Sequence, residues 1–318
     1  LHNPSLDEAL PEVNANQLIA ELRTLLPADC VLSSAEQQRP FECDGLSSYS
    51  ALPLVTVLPR TIKQIQAIMR LCSRFKVPVV SRGAGTGLSG GALPCEVGVL
   101  LVLTRLDQIV HIDPQGLYAV VQPGVRNLAI SEAVAEHGLY YAPDPSSQIA
   151  CSIGGNVAEN AGGVHCLKYG LTVHNVQAVT IVTTSGELLI LTEHDCGPNL
   201  LALMTGSEGM LGVVVEIEVK LLVRPPAVQT LLASFASVAA ASDAVTALMS
   251  AGVVPAGLEM MDQLALSAAE DFVGAGYPRD AAAILLLELD GCASEVSADF
   301  LVSESILKET DATEISVA

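Results

Sequence analysis

The chain has 318 residues, 35 of them acidic against 15 basic, for a formal net charge of -20. That length suits two domains, each able to bury its own core. The negative excess argues against nucleic acid or an anionic membrane surface as partner. Half of the residues are hydrophobic, but in runs far shorter than the ~20 residues of a membrane span. The 8 cysteines are scattered with no C-x-x-C pair, which leaves no zinc-ribbon or iron–sulfur motif and favours packing roles. Leu1 is not a methionine and no signal-peptide pattern follows it, so the expectation is a reduced, cytoplasmic protein.

Residues 1–50 read as a lead-in, with apolar residues at helical spacing over 17–26, a turn at Cys43-Asp44-Gly45, and Tyr49 free to pack on a neighbour. Residues 53–58 (PLVTVL) read as a strand. Thr61 and Gln64 form a capping-box pattern before a helix whose apolar face runs from Ile62 to Phe75. The next apolar run (Val77, Val79, Val80) delivers the chain to SRGAGTGLSGGALP, with glycines at 83, 85, 87, 90 and 91. Such a loop on the end of a buried strand offers successive N–H groups to an anion such as a pyrophosphate. An ordinary flexible turn is the bland alternative.

GTGLSG (85–90) matches G-x-G-x-x-G, with Asp107 downstream, but a dinucleotide-binding turn needs a helix to open at the glycines. Here Gly90, Gly91 and Pro94 lead instead to VLLVL (99–103), a buried strand, which speaks against a Rossmann unit and a nicotinamide cofactor. No Lys-Ser/Thr follows the glycines, so a P-loop is excluded.

Strands at 109–112 and 119–122 flank the turn Asp113-Pro114-Gln115-Gly116, and a helix over 127–137 stops at Gly138. Residues 140–170 carry two prolines, two Gly-Gly pairs, Asn156 and Asn160 with little periodicity, and read as a long functional loop. A hairpin over 176–191 turns at Ser185-Gly186, and a short helix opens at Pro198. GSEGMLG (206–212) then enters an alternating strand with Val215, Ile217, Val219 and Leu221 facing in. Arg224-Pro225-Pro226 ends this part. Afterwards strands (228–235, 255–259, 282–290) alternate with helices (238–251, 262–273, 293–309), and 314–317 begins a further strand before the chain stops, the pattern of a truncated domain.

RGAGTGLSGGALP, VQPGV, APDPSSQIACSIGGNVAENAGGVHCLKYG and TGSEGMLGVV, in this order, resemble the FAD-binding domain of the vanillyl-alcohol oxidase superfamily. Within it they look most like the flavoprotein subunits of bacterial glycolate oxidases, relatives of the D-lactate and D-2-hydroxyglutarate dehydrogenases, and the resemblance extends to NLAISEAV (127–134) and GLEMMD (257–262), so that it covers most of the chain. The resemblance implies an α+β fold: a lead-in (1–50), a PCMH-type FAD-binding domain of two α/β subdomains (51–226), and an incomplete ferredoxin-like cap (227–318). It implies that Arg82, Gly83, Ala84, Gly85, Thr86, Gly87, Leu88, Ser89 and Gly90 cradle the FAD pyrophosphate. Pro143, Asp144, Ser146, Ser152, Gly154, Gly155, Asn156, Asn160, Gly162 and Gly163 would wrap the ribityl and isoalloxazine. Gly206, Glu208, Gly209, Gly212 and Val213 would close the adenine side. Residues 81–94 contain no histidine, so the FAD is expected to be noncovalent.

By the same resemblance the full protein oxidises a small 2-hydroxy acid, glycolate or D-lactate, to the 2-oxo acid. Hydride passes to flavin N5, and electrons leave to an iron–sulfur subunit beside a second flavin-domain subunit, through which any membrane association would come. The H-x-G-D-G-N-x-H segment of the family is absent, so no catalytic residue is assigned and no metal expected. His165 and His174 are candidate bases that read equally well as structural, as do Lys168 and Tyr169 beside the flavin. The alternative for these residues is a flavin-binding fragment without turnover.

Overall fold

A computed structural model describes residues 14–317; Leu1, most of the first stretch of the lead-in, and Ala318 fall outside the described residues. In chain order the elements are α1 (Ala15–Leu25), β1 (Val31–Leu32), α2 (Ala35–Gln38), β2 (Val55–Val57), α3 (Ile62–Phe75), β3 (Val79–Arg82), β4 (Val99–Val102), β5 (Ile109–Asp113), β6 (Tyr118–Val121), α4 (Asn127–Val134), β7 (Leu139–Tyr140), α5 (Ile153–Glu159) and α6 (Cys166–Tyr169). There follow β8 (Val176–Val182), β9 (Leu188–Thr192), α7 (Leu200–Met204), β10 (Val213–Lys220), β11 (Leu222–Val223), β12 (Ala227–Phe235), α8 (Val238–Ser250), β13 (Gly257–Asp262), α9 (Gln263–Val273), β14 (Ala283–Gly291), α10 (Ala293–Glu309) and β15 (Ala312–Val317). Two compact units emerge: 14–141, 147–161 and 172–222 form the first; 142–146, 162–171 and 223–317 form the second.

The first unit holds a four-stranded and a five-stranded sheet. In the order β1-β2-β4-β3, β4 lies parallel to both β2 and β3, and its VLLV is buried throughout, as a strand covered on both faces must be. Helix α3 packs Ile65, Ile68, Met69 and Cys72 into this core, and Leu18 and Leu22 of α1 join them, so the lead-in shares the first core. The second sheet, β5-β6-β10-β8-β9, is antiparallel throughout. Alternation along β10 places Val215, Ile217 and Val219 fully inside.

Three local readings are corrected. Thr61 caps α3 through Gln64 N, but Gln64 Oε1 accepts from Arg60 N at 2.7 Å and not from Thr61 N, so only half of the capping box forms. Residues 153–159 (IGGNVAE) are helix α5, not loop: Ile153 and Val157 are buried, and the helix ends on Asn160 in a left-handed conformation (φ 50). The helix from Asn127 is α-helical only to Val134 and tightens to a 3-10 turn before Gly138 (φ 68).

The second unit is built on the antiparallel sheet β13-β14-β12-β15. Numbered along the chain, this is the 4-1-3-2 order of a ferredoxin-like β-α-β-β-α-β motif, with α9 added between the second and third strands. Leu231, Ala233, Phe235, Leu285 and Leu287 point toward α8 and α10, while Leu232 and Ile284 turn the other way, toward Leu266 of α9.

Segments 142–146 and 162–171 join this unit mainly through charge. His165 Nδ1 meets Asp144 Oδ2 at 2.7 Å and Nε2 meets Glu288 Oε1 of β14 at 3.0 Å. A ring that donates from both nitrogens is an imidazolium, and its pKa rises to about 9, chiefly through the Asp144 hydrogen bond and then Glu288, against burial. Three residues on, Lys168 Nζ pairs with the buried Asp290 carboxylate and donates to its backbone carbonyl at 2.6 Å, while Tyr169 Oη donates to Asp290 Oδ2 at 2.6 Å.

Because the folded pKa of His165 lies above its unfolded value, its stabilising effect is complete below about pH 6.5 and is lost as the pH rises through about 9. Relative to His165→Gln, the parent should be more stable by on the order of 1–2 kcal/mol near neutrality, with the gap closing by about pH 10. Urea unfolding of both proteins across this range measures it; a gap independent of pH would mean that the ring is not the charged clasp.

Candidate functional site

The glycine loop leaves the C-terminal end of β3, where Arg82 is in register with Val102 of β4. Gly85 (φ 73) and Gly90 (φ 80) take left-handed conformations that other residues rarely adopt. None of the amides from Gly85 to Gly91 donates to a backbone carbonyl among the described residues. They form a row of donors, with the exposed Leu88 among them, of the kind that receives phosphate oxygens.

Helix α5 lies along this loop. Before its first turn, Ser152 Oγ accepts from Ala84 N at 3.3 Å and would collide with a Cβ on Gly83; at its last residue, Glu159 Oε2 accepts from Ser89 Oγ at 2.8 Å. The glycines of α5 serve close approach: a Cβ on Gly154 would come 2.6 Å from Pro123, whereas one on Gly155 would make only an ordinary contact. Both asparagine side chains take hydrogen bonds from the protein. Asn156 is buried and its Oδ1 accepts from Asn127 Nδ2 at 3.0 Å, while Asn160 Oδ1 accepts from Val173 N at 2.9 Å. The side-chain oxygens of both residues thus already accept hydrogen bonds from the protein.

The GSEG segment is fastened to the same helix. Gly206 N donates to Val157 O at 2.7 Å and Glu208 N to Ala158 O at 2.8 Å, with Gly206, Glu208 and Gly209 all at positive φ. Gly209 sits so close to Ser81 that a Cβ would strike its hydroxyl. Gly212 and Val213 continue into β10, with Val213 paired to Val182. A cavity of about 260 Å³ opens here, lined by Met69, Cys72, Val79, Ser81, Gly209 and Val213 among others. Its apolar walls and adjacent backbone suit a planar aromatic ring better than a charged group.

Thus 82–90, 152–155 and 206–213 are brought together in the first unit. Pro143, Asp144, Ser146, Gly162 and Gly163 lie in the second, where Asp144 holds His165 and a Cβ on Gly163 would collide with the Asp144 backbone. His165 stands protonated between two carboxylates and is no base at neutral pH; Lys168 and Tyr169 are likewise engaged by Asp290. His174 lies in a 3-10 turn of the first unit. Sequence reading passed over Glu159, Ser81 and the α3 side of the cavity. Glu159 was legible only as a polar residue among small ones, and the cavity wall only as part of an amphipathic helix.

Two family models match this chain: an FAD binding domain over residues 53–192 and the C-terminal domain of FAD linked oxidases over 224–318. Glycolate oxidase subunit GlcD of Escherichia coli K12 is 57% identical over 321 aligned residues, covering 100% of this chain and 64% of that protein. GlcD of Bacillus subtilis is 39% identical (87% and 60%), and D-lactate dehydrogenase of Anaerostipes hadrus 32% identical (95% and 66%). The chain therefore spans about two thirds of the length of these relatives or less. Among solved structures, alkyldihydroxyacetonephosphate synthase (TM-score 0.81, 18% identity, 95% of this chain and 60% of that one) and p-cresol methylhydroxylase with substrate bound (0.81, 19%, 95% and 65%) share the fold. No helix among the described residues is long and apolar enough to cross a membrane. The amide row, the glycines at positive φ and the apolar cavity fit a flavin dinucleotide, and the chain belongs to the FAD-linked oxidase superfamily with FAD as its cofactor.

Proposed function

We propose that this chain is the flavin-binding part of an oxidoreductase that converts a small 2-hydroxy acid, glycolate first, to the 2-oxo acid. The observation that carries this is the 57% identity to a glycolate oxidase subunit along the whole chain, with the cofactor loop in a ligand-accepting conformation. D-lactate is the second candidate substrate, on the 32% identity to a D-lactate dehydrogenase. When bound, FAD supplies the two-electron acceptor. Residues 85–91 hold the pyrophosphate through their amides, the cavity beside Ser81 and Gly209 takes the adenine, and helix α5 fixes the loop through Ser152 and Glu159. Since the relative is named as a subunit, electrons pass on to a partner subunit, an iron–sulfur protein in this reading.

Gly87 isolates the ligand contact from the fold. A Cβ on Gly85 would strike the Arg82 guanidinium at a left-handed φ, so substitution there distorts the loop by itself. Gly87 has no positive φ, and a Cβ would lie 3.7 Å from Glu159 Oε1, an ordinary contact. Gly87→Ala should leave the unfolding midpoint of the apoprotein in place and weaken FAD binding by roughly tenfold or more, through blocked approach to the amides. Flavin titration reads this out, and unchanged affinity would remove the loop from the phosphate site.

The bound FAD should be released by acid precipitation, leaving the yellow colour in the supernatant, because the loop carries no histidine to anchor it. Colour in the washed pellet would disprove this.

In the second unit, Arg279 and Lys308 are paired with Asp271 at 2.6 Å and Glu304 at 2.8 Å, and His165 and Lys168 are held by carboxylates. None of these four is spare to hold a substrate carboxylate. The 318-residue chain reconstituted with FAD should therefore show negligible glycolate-dependent dye reduction, and a chain of the relatives' full length should restore it. Robust turnover by the 318 residues would place the substrate site among them.

A further inference from the structure

Arg82 opens the cofactor loop, yet its side chain is buried, with the guanidinium packed beside Gly85. The residue is 7% exposed. Its Nη1 donates to Cys43 O at 2.8 Å, to Ala92 O at 3.3 Å and, more distantly, to Phe41 O at 3.5 Å, with the guanidinium 5.9 Å from the centre of the Phe41 ring. The bond to Ala92 closes the loop across its two ends, and the bonds to 41 and 43 fasten it to a segment some forty residues earlier.

That segment touches the loop at further points. A Cβ on Gly45 would come 2.6 Å from Gly87 O and 2.7 Å from Thr86 O, so the two backbones lie in contact; Leu46 reaches the underside of Gly90. Between these contacts sits Asp44, 6% exposed. Its Oδ1 accepts from Leu46 N at 2.9 Å, while Oδ2 takes no hydrogen bond among the described residues. Buried carboxylate oxygens are normally satisfied. Here the charge has a different use: burial disfavours the charged form of Arg82, and the nearby Asp44 is the foremost influence opposing that.

We propose that Phe41, Cys43, Asp44 and Gly45 form a floor that, through Arg82, sets the conformation of the cofactor loop, making Arg82 a positioning residue beneath the loop and not a ligand to the phosphates. The proposal rests on the reading of residues 83–91 as the pyrophosphate site. The floor lies before residue 53, where the match to the FAD binding domain begins, so this chain completes its cofactor loop from outside the matched span.

The two roles for Arg82 make opposite predictions for Asp44. If Arg82 attracted the pyrophosphate directly, Asp44→Asn would remove an opposing negative charge and tighten FAD binding. If Asp44 keeps the floor in place, the same substitution strands a buried guanidinium and loosens binding, by roughly tenfold. Gly45→Ala alters no charge and should loosen binding by steric lift of residues 86–87; it keeps the question open to test if Arg82→Lys fails to fold. In Arg82→Lys, FAD affinity should fall while its dependence on salt stays that of the parent, since no exposed phosphate contact is lost.

Flavin titrations of the full-length protein at two salt concentrations, with Gly87→Ala alongside, decide the matter. Weaker binding in Gly87→Ala, Gly45→Ala and Asp44→Asn, at parental salt dependence in Arg82→Lys, supports the floor. Tighter binding in Asp44→Asn, a flattened salt dependence in Arg82→Lys, or parental affinity in Gly45→Ala while Gly87→Ala is impaired, overturns it. Parental affinity in Gly87→Ala instead rejects the loop assignment itself.

Discussion

A stretch of backbone that leaves its own amides unpaired has no ladder to hold it, and the architecture around the glycine loop answers that deficit. Strand β3 fixes the entry, because it is hydrogen-bonded to the fully buried β4 as far as Arg82. From there to Gly91 the chain must be shaped by neighbours. Ser152 and Glu159 grip it near both ends of α5, and the GSEG turn is tied to the last carbonyls of that helix. Ordering a residue costs about 1–2 kcal/mol, so a loop ordered before the ligand arrives spares the binding step that loss.

The electrostatics follow from the same arrangement. Glu159 and Glu208 both stand close to Gly91, in a chain that already carries a net charge of -20, and the one arginine of the loop is buried. On the proposed assignment of this loop, attraction for a pyrophosphate rests on local dipoles and not on excess charge. A hydrogen bond to a charged group contributes about 1.5–3 kcal/mol, whereas repulsion from a solvated carboxylate a few ångströms away is about 1 kcal/mol or less. Several amides in a row outweigh two flanking carboxylates. Glu159 has a second use, since it fixes Ser89 and so orients the amide that follows.

Much of this was legible in the sequence because it depends on period and on glycine. Buried VLLV, the alternation of β10, and the order of elements after 227 follow from side-chain pattern alone. What stayed illegible depends on tertiary contact. IGGNVAE looks like loop because two glycines lower helix propensity; it is helical because Ile153 and Val157 enter the core and Gly154 must pass close to Pro123. Asn156 and Asn160 read as ligand contacts from their chemistry, but their side-chain oxygens are taken by Asn127 and Val173, 29 and 13 residues away. The role of Cys43-Asp44-Gly45 was hidden for the same reason: its partner, Arg82, is some forty residues on.

The second unit shows the opposite solution to a related problem. Segment 162–171 (GGVHCLKYGL) has too few apolar side chains to dock by burial, and Val164 and Leu167 remain exposed. It is held instead by His165 to Asp144 and Glu288 and by Lys168 and Tyr169 to Asp290. Ion pairs of this partly buried kind add little net stability compared with an apolar replacement, but breaking one by removing a single partner is costly. Their value is directional: two carboxylates on β14, two residues apart and so on one face of the strand, accept only one register of His165 and Lys168. Segment 162–171 is thereby fixed in position on the sheet by charge, where a hydrophobic contact would have permitted sliding.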